Sequence, residues 1–311
     1  MGTKAAARVF LLCAPMVFGT AQAGLVVTDN QAANDLVNAL LAGSSGITYS
    51  NAITEGAVSG VQNGIFTGGN SASLGFDSGI VLSSGQVTDL PLASSGAAFG
   101  ANTDVGSPGD GQLDALVPPY STHNASALSF NFVPNGDHVQ FSYVFGSTEY
   151  NQYVNTQFND VFAFFVNGVN FAFVPGTSTP VAINNVNCGG PTTVPPGPNP
   201  TNCNYFVNNR NADGSVGANE LVNLGGMTQV FSFGAPVNAN VTNTMSLKIA
   251  DTSDGVLDSA VFIQAGTLEI CGGVGQPPCE DTVPEPGSLA LLAIGLVGLA
   301  GLGFGRRRML N

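Results

Sequence analysis

Hydrophobic residues at every second position are the feature that most limits what this 311-residue chain can fold into. Such alternation is typical of a strand that buries one face. It occurs at Leu128, Phe130 and Phe132, at Val139, Phe141, Tyr143 and Phe145, and at Met245, Leu247 and Ile249. Shorter strands are expected around Phe171 and Phe173, around Val181 and Ile183, and across residues 260–270. Val161–Val166 is apolar throughout, which predicts a central strand covered on both faces.

The segments between these strands are rich in Gly, Asn and Pro, as turns are. The pattern indicates an all-β protein, an antiparallel β-sandwich of jelly-roll type. Only residues 29–41 have helical spacing, and we expect a short N-terminal helix there. Asp29 or Asn30 would cap this helix, and Gly43 would end it. Its apolar stripe is Ala33, Leu36, Val37, Leu40 and Leu41.

Residues 283–311 join a Pro-rich motif, an apolar stretch and a basic cluster. The apolar residues 288–304 would form a helix roughly 26 Å long, close to the bilayer core of about 30 Å. The basic cluster is expected to stay cytoplasmic as a stop-transfer signal. An ordinary C-terminal membrane anchor is the simpler alternative. The motif is Val283, Pro284, Glu285 and Pro286, and the basic cluster is Arg306, Arg307 and Arg308.

These three parts, in this order, resemble a PEP-CTERM sorting signal. The resemblance implies recognition by exosortase, an integral-membrane, cysteine protease-like enzyme of Gram-negative bacteria, which removes the tail near residues 284–286. It also implies an exported protein of a species that makes exopolysaccharide and biofilm matrix. Insertion into the inner membrane would then be transient.

The first residues have the pattern of a cleavable signal peptide. Lys4 and Arg8 supply a basic start, residues 9–18 are apolar, and Ala21 and Ala23 form an A-x-A cleavage site. The mature chain is expected to begin at Gly24. The predicted organisation is therefore a signal peptide (1–23), a β-sandwich domain (24–271), a Gly/Pro/acidic linker (272–283) and the sorting signal (284–311).

The part of the chain that remains after export is strongly acidic. All 20 Asp and Glu residues lie between residues 24 and 286, where Arg210 and Lys248 are the only Lys or Arg residues. Twenty negative and two positive side chains give −18, compared with −13 for the whole chain. This charge excludes nucleic acid as a partner, because nucleic-acid binding depends on cations that neutralise phosphates. It also repels acidic polysaccharide unless divalent cations form a bridge.

Four cysteines remain after removal of the signal peptide, and an even number in an exported chain indicates disulfides. Three pairings are possible. Cys188–Cys203 and Cys271–Cys279 are favoured because each pair encloses a Pro/Gly-rich stretch. Zinc is the rival interpretation, but the cysteines lack C-x-x-C spacing and a nearby His.

Six segments of the domain, in order, carry a second resemblance. They are Gly79-Ile-Val-Leu-Ser-Ser-Gly85, Leu128-Ser-Phe-Asn-Phe-Val-Pro134, Phe141-Ser-Tyr-Val-Phe-Gly-Ser-Thr-Glu-Tyr150, Phe158-Asn-Asp-Val-Phe-Ala-Phe-Phe165, Val181-Ala-Ile-Asn-Asn-Val-Asn187 and Ile249-Ala-Asp-Thr-Ser-Asp-Gly-Val-Leu-Asp-Ser-Ala-Val-Phe262. Together they resemble the choice-of-anchor L domain over roughly residues 25–271. Residues 147–150 read Ser-Thr-Glu-Tyr where the family usually has Ser-Glu-Glu-Tyr. The resemblance implies an exported surface domain and gives no activity.

Acidic residues close to strand ends are candidate Ca²⁺ ligands, because Ca²⁺ takes six to eight oxygens from carboxylates, amides and carbonyls. A second acidic loop contains Asp104, Asp110 and Asp114. The alternative is that these side chains bond to the backbone of their own turns. The candidate ligands are Glu149, Asp160, Asp251, Asp254 and Asp258.

No H-E-x-x-H, G-x-S-x-G or P-loop motif is present, so we expect no catalytic activity. The expected function is that of a surface or extracellular-matrix protein, with exopolysaccharide or other matrix components as partners. Two alternatives stay open. Glu149 and Asp160 could act as the carboxylate pair of a polysaccharide-active enzyme. A calcium-assisted, carbohydrate-binding adhesin could stack sugars on Tyr120, Tyr150, Tyr153 and Tyr205.

Overall fold

The computed structural model describes residues 24–44, 46–56, 60–92, 100–217 and 222–271. These residues form 14 strands and two short α-helices. The helices are α1 (Ala33–Leu40) and α2 (Gly111–Asp114). The strands are β1 (Val26–Asp29), β2 (Ile47–Glu55), β3 (Asn63–Thr67), β4 (Gly79–Ser83), β5 (Thr122–Pro134), β6 (His138–Ser147), β7 (Val161–Val166), β8 (Val169–Asn170), β9 (Phe206–Asn208), β10 (Gly226–Thr228), β11 (Phe231–Pro236), β12 (Asn243–Thr252), β13 (Ser259–Gln264) and β14 (Glu269–Cys271).

The strands form two antiparallel sheets, which confirms the predicted β-sandwich. The larger sheet has nine strands in the order β1-β3-β4-β13-β6-β10-β9, and β11 and β14 also pair with β6. The smaller sheet has five strands in the order β2-β5-β12-β7-β8. A jelly roll has eight strands, so the finer prediction of a jelly-roll type is not confirmed.

The alternating side chains predicted for β5, β6 and β12 form the core between the sheets. Phe141 of β6 packs edge-on against Phe164 of β7, with ring centroids 4.5 Å apart, and Tyr143 contacts Phe162 at 4.9 Å. All six residues of β7 are buried. Its other face packs against Leu113 and belongs to a second apolar cluster, so the prediction of a doubly covered strand is confirmed.

The predicted N-terminal helix exists as α1, which is shorter than expected and lacks the expected cap. Leu36, Val37 and Leu40 of the apolar stripe are buried, as predicted. The residue before the helix is Ala32, and no side chain caps it. Asp29 does not serve as the cap because its backbone pairs with Gly64 as the last residue of β1.

The short strands predicted near Phe171 and Val181 are only partly formed. Next to Phe171 the structure has the two-residue strand β8, and further along it has isolated bridges, which join Phe173 to Pro180 and Ala182 to Val161. The predicted strand region across residues 260–270 is divided between β13 and β14. Gly266, with a φ of 70°, lies in the turn that separates them, and glycine adopts this conformation without steric cost.

One of the two predicted disulfides is seen, and it closes the Pro/Gly-rich segment between Cys188 and Cys203. Cys188 and Cys203 are bonded to each other, as predicted. Cys271 is also disulfide-bonded; its expected partner, Cys279, lies outside the described residues. None of the described helices is long and apolar enough to cross a membrane. The apolar stretch 288–304 lies outside the described residues.

Candidate functional site

The five predicted Ca²⁺ ligands come together at one end of the sandwich. At this end β6 and β12 finish while β7 and β13 begin, so both sheets contribute residues. This proximity follows from antiparallel pairing, in which Ser147 faces Ser259 and Ala250 faces Val161. We call the group the acidic cluster. Its members are Glu149 after β6, Asp160 before β7, Asp251 within β12, Asp254 in the following loop, and Asp258 before β13.

Four members of the acidic cluster are buried, and three of these bond to nearby backbone or side-chain donors. Asp160 accepts from the Thr252 N–H at 2.9 Å and from the Ser259 hydroxyl at 2.7 Å. Asp258 accepts from the Thr103 N–H at 3.0 Å. The amide of Asn124 donates to Oδ2 of Asp251 at 3.2 Å. Asp254 is half-buried, with its carboxylate near the backbone N–H of Val256.

Several oxygens at this end are buried without a hydrogen-bond partner. Two belong to the cluster itself, Oε2 of Glu149 and Oδ1 of Asp251. Glu149 also lies in a run of four consecutive residues, each at most 1 % exposed. Each residue of this run leaves one side-chain oxygen unpartnered: Thr148 Oγ1, Glu149 Oε2, Tyr150 OH and Asn151 Oδ1. Buried polar atoms are nearly always hydrogen-bonded, so such a run demands an explanation.

Burial and mutual repulsion raise the pKa values of these carboxyl groups. The pKa of Glu149 is raised by burial first and then by the charges of Asp160 and Asp254, and Arg210 opposes the rise. The pKa of Asp160 is raised mainly by burial, although Ser259 and the Thr252 N–H lower it. Burial and the Asp160 charge also raise the pKa of Asp251. Such shifts are expected wherever like charges share a site with little water.

The pKa of Asp258 is raised to about 7, chiefly by burial and then by the charge of Asp89, against the hydrogen bond from Thr103. Asp254, nearer the solvent, has its pKa raised by burial and by Asp104, while His123 lowers it.

Arg210 is a cation whose charge acts on Glu149, and it is only 3 % exposed. Its guanidinium donates to the carbonyl oxygens of Thr148 and Tyr150, and to that of Gly214 at 2.6 Å. Arg210 therefore fixes the backbone on both sides of Glu149, and burial lowers its pKa. In the described part of the chain, no carboxylate of the cluster forms an ion pair within 4 Å.

In the second acidic loop the carboxylates accept hydrogen bonds from nearby protein groups, which was the alternative to calcium binding. Asp110 caps α2 through the N–H groups of Gln112 and Leu113, and it pairs with Lys248 at 2.5 Å. Asp114 accepts from the N–H and the hydroxyl of Thr122. These carboxylates already have partners.

A ready-made metal centre is not seen. Among the residues that the structure describes, no three His, Cys, Asp or Glu side chains converge in a way that could hold a metal ion. The carboxylates of the acidic cluster are thus neighbours that do not converge on one position where a metal ion could bind. The assignment of Ca²⁺ to it stays a prediction.

The four tyrosines proposed as sugar platforms differ in exposure. Tyr150 is fully buried and packs on Phe206 at 4.8 Å, so its placement in an accessible loop was wrong. Tyr205 is partly buried and meets Phe231 edge-on. Tyr120 and Tyr153 are 38 % and 37 % exposed, and each is in a loop at the end of the sandwich that holds the cluster.

Sequence analysis missed Arg210, Thr148 and Asn151 as parts of this end of the domain. The only available signal was that Thr148 and Asn151 lie beside Glu149 in the chain, whereas nothing linked Arg210 to it. The processing residues cannot be placed, since Ala21, Ala23, residues 283–286 and Arg306, Arg307 and Arg308 lie outside the described residues.

Comparison with protein families gives two matches. The model of the choice-of-anchor L domain matches residues 25–269, and that of the PEP-CTERM protein-sorting motif matches residues 282–308. No curated protein and no solved structure matches the chain. The sorting motif implies exosortase as the processing partner, and it implies export to the surface or extracellular space of a Gram-negative bacterium. The first match spans most of the chain, so the chain belongs to the choice-of-anchor L domain family. It has a PEP-CTERM protein-sorting motif after that domain.

Proposed function

We propose that this protein acts, without catalysis, as a component of the exopolysaccharide-containing matrix after exosortase has removed its tail. The observation that carries this proposal is the order of the two matched segments. A disulfide-bonded β-domain is followed, after a short linker, by the sorting motif. Disulfides persist in oxidising compartments outside the cytoplasm, which agrees with export.

The charge of the domain supports a role among hydrated polymers. Its two cations are both buried, Arg210 at 3 % and Lys248 at 8 % exposure. The sequence has no other Lys or Arg between residues 24 and 286. The surface therefore offers carboxylates and neutral polar groups, which repel acidic polymers unless divalent cations lie between them.

The burial of Glu149 and Asp160 favours a non-catalytic domain. A glycosidase needs two carboxyl groups on either side of a bound glycosidic bond, in a cleft that the sugar can enter. Each of these residues is only 1 % exposed. Asp160 is further engaged by Ser259 and Thr252.

Cell fractionation with a matched pair of variants tests the proposal. Replacement of Pro284, Glu285 and Pro286 by alanine should hold the protein in the inner membrane. Replacement of Gln276 and Pro277, which lie in the linker, should leave the protein in the matrix fraction, like the wild type. Wild-type protein that stays with the inner membrane would refute the assignment. So would exopolysaccharide cleavage that is lost in Glu149→Gln.

Calcium-assisted carbohydrate binding is the second candidate, favoured by the exposed Tyr120 and Tyr153 at the end that holds the acidic cluster. The faces of sugar rings could stack on these accessible tyrosine rings. Glycan-array binding should then require calcium and should weaken at least tenfold in Tyr120→Ala and Tyr153→Ala. Tyr49→Ala, in β2, is the control. Binding that is absent, or unchanged in both variants, would exclude this candidate.

A further inference from the structure

We propose that a groove on the outer face of the smaller sheet binds an amine-bearing sugar unit of a polysaccharide, with Glu55 as the ligand of the ammonium group. This groove, which we call the Glu55 groove, has a volume of about 330 Å³. Its lining includes Glu55 of β2, Ala127 of β5, Lys248 of β12, and Pro108 and Asp110 from the segment before α2. The inference deepens the proposed matrix function, and it rests on that function for the choice of a polysaccharide.

The register of the sheet places the two charged walls of the groove. Ala127 pairs with Glu55 on one side and with Lys248 on the other, and directly paired residues project to the same face of a sheet. This is the outer face, because the alternate positions Leu128 and Leu247 are buried in the core. Since neighbouring strands are about 4.8 Å apart, the backbones of Glu55 and Lys248 lie roughly 10 Å apart. The small side chain of Ala127 forms an apolar floor between them, with room for one sugar ring.

The charges in the groove favour a cationic ligand. The ammonium of Lys248 is neutralised by Asp110, at 2.5 Å. Glu55 is exposed, and its carboxylate forms no ion pair within the described part of the chain. One negative charge is therefore left for a ligand. The whole domain strengthens this preference, because both of its cations are buried while its carboxylates set the field at the surface.

The surface beside the groove fits a sugar chain better than an isolated amine. The next row across the same face is Ile53, Ser129 and Ser246. Ile53 is 49 % exposed, so it can contact the apolar face of a sugar ring. The hydroxyls of Ser129 and Ser246 are 2.8 Å apart and only partly buried, and each can both donate to and accept from sugar hydroxyls. A polymer of partly deacetylated amino sugars has ammonium groups, hydroxyls and apolar ring faces in one chain.

Calorimetry of the mature, exported protein with oligosaccharides of equal length tests the class of ligand. The probes are a glucosamine oligomer, its N-acetylated counterpart and a uronic-acid oligomer, at a pH low enough to protonate the amine. The glucosamine oligomer should bind, and added salt should weaken its binding because the paired charges are exposed. The N-acetylated oligomer lacks the ammonium and should bind about tenfold more weakly or less. The uronic-acid oligomer should not bind, since it would place its carboxylates against Glu55.

Matched variants locate the site. Glu55→Gln keeps the size of the side chain and should weaken binding of the glucosamine oligomer about tenfold. Glu269→Gln makes the same change of charge on β14, in the other sheet, and should bind like the wild type. Ile53→Ser should weaken binding severalfold, whereas Val26→Ser, at a residue of β1 that is 53 % exposed, should not. All four side chains are exposed, so the fold should tolerate the changes.

The proposal is overturned if the glucosamine oligomer does not bind or if the N-acetylated oligomer binds equally well. It is also overturned if Glu55→Gln and Glu269→Gln weaken binding to the same extent, because the oligomer would then be attracted only by the net charge of the domain. None of these results changes where the protein is found on cell fractionation. Failure of the groove is therefore distinguishable from failure of the matrix assignment.

Discussion

Replacement of Asp110 by Asn should destabilise the domain strongly at neutral pH and hardly at all in acid. Lys248 lies on β12 with its side chain only 10 % exposed, and its ammonium is 2.5 Å from Asp110 and 5.8 Å from the ring centre of Phe165. Asn caps helices about as well as Asp. The substitution therefore leaves the cap of α2 in place and removes only the charge opposite Lys248.

The magnitude follows from the burial of the pair. Removal of one partner from a fully buried ion pair costs about 3–5 kcal/mol. The Asp110 side chain is 21 % exposed, and solvent screening reduces that figure. We expect a loss of roughly 2–3 kcal/mol in the free energy of unfolding at pH 7. The double variant Asp110→Asn/Lys248→Met should recover at least half of the loss, because no buried charge is then left alone.

The pH dependence has a definite sign. Burial raises the pKa of Asp110, but Lys248 and the N–H groups of Gln112 and Leu113 outweigh it, so the pKa lies below its usual range. The stabilisation is present above the unfolded-state pKa of about 4 and is lost as pH falls through the lower folded-state value. The free energies of unfolding of the wild type and Asp110→Asn, measured in urea, should thus differ at pH 7 and converge near pH 2. Equal stability at pH 7, or a difference that persists in acid, would refute this account.

Three further predictions concern the disulfide, the core and one close contact. Replacement of Cys188 and Cys203 by Ser should lower the free energy of unfolding by about 3 kcal/mol, since the bond closes a loop of 15 residues; no change in urea unfolding would show that the loop is ordered without it. Phe162→Ala should cost about 3–5 kcal/mol, whereas Val169→Ala, at a side chain 57 % exposed, should stay within about 0.5 kcal/mol; similar Tm values for the two would contradict the assigned core. Gly79→Ala would place a Cβ 1.9 Å from the Ile263 carbonyl oxygen and should cost about 1–3 kcal/mol. In Gly111→Ala the added Cβ meets nothing within 4 Å, so the free energy of unfolding should stay the same or rise. A larger loss of stability in Gly111→Ala than in Gly79→Ala would be evidence against the β4–β13 pairing.

The strands of the core could be predicted from the sequence because their signals are local. The run Val161–Val166 is apolar at every position, and the structure covers both faces of β7. The prediction that Asp29 caps α1 was wrong because Asp29 pairs with the distant Gly64 and is the last residue of β1. The Cys188–Cys203 pair could be predicted because it encloses a segment that cannot form a core of its own.

The candidate site was less accessible to sequence reasoning. Glu149 and Asp258 are more than 100 residues apart, and only the pairing of β6 with β13 brings their strand ends together. The burial of Tyr150 depends on Phe206, from a strand with no strong alternation. Unpartnered oxygens are properties of packing, so residue types alone could not reveal them.

Mass spectrometry of the native protein, recovered from cells and from their matrix, tests the central claim most directly. The account predicts a mature chain that begins at Gly24, ends near residues 284–286 and contains the intact disulfide-bonded domain. Recovery of only full-length chains that still contain Arg306, Arg307 and Arg308 would contradict it.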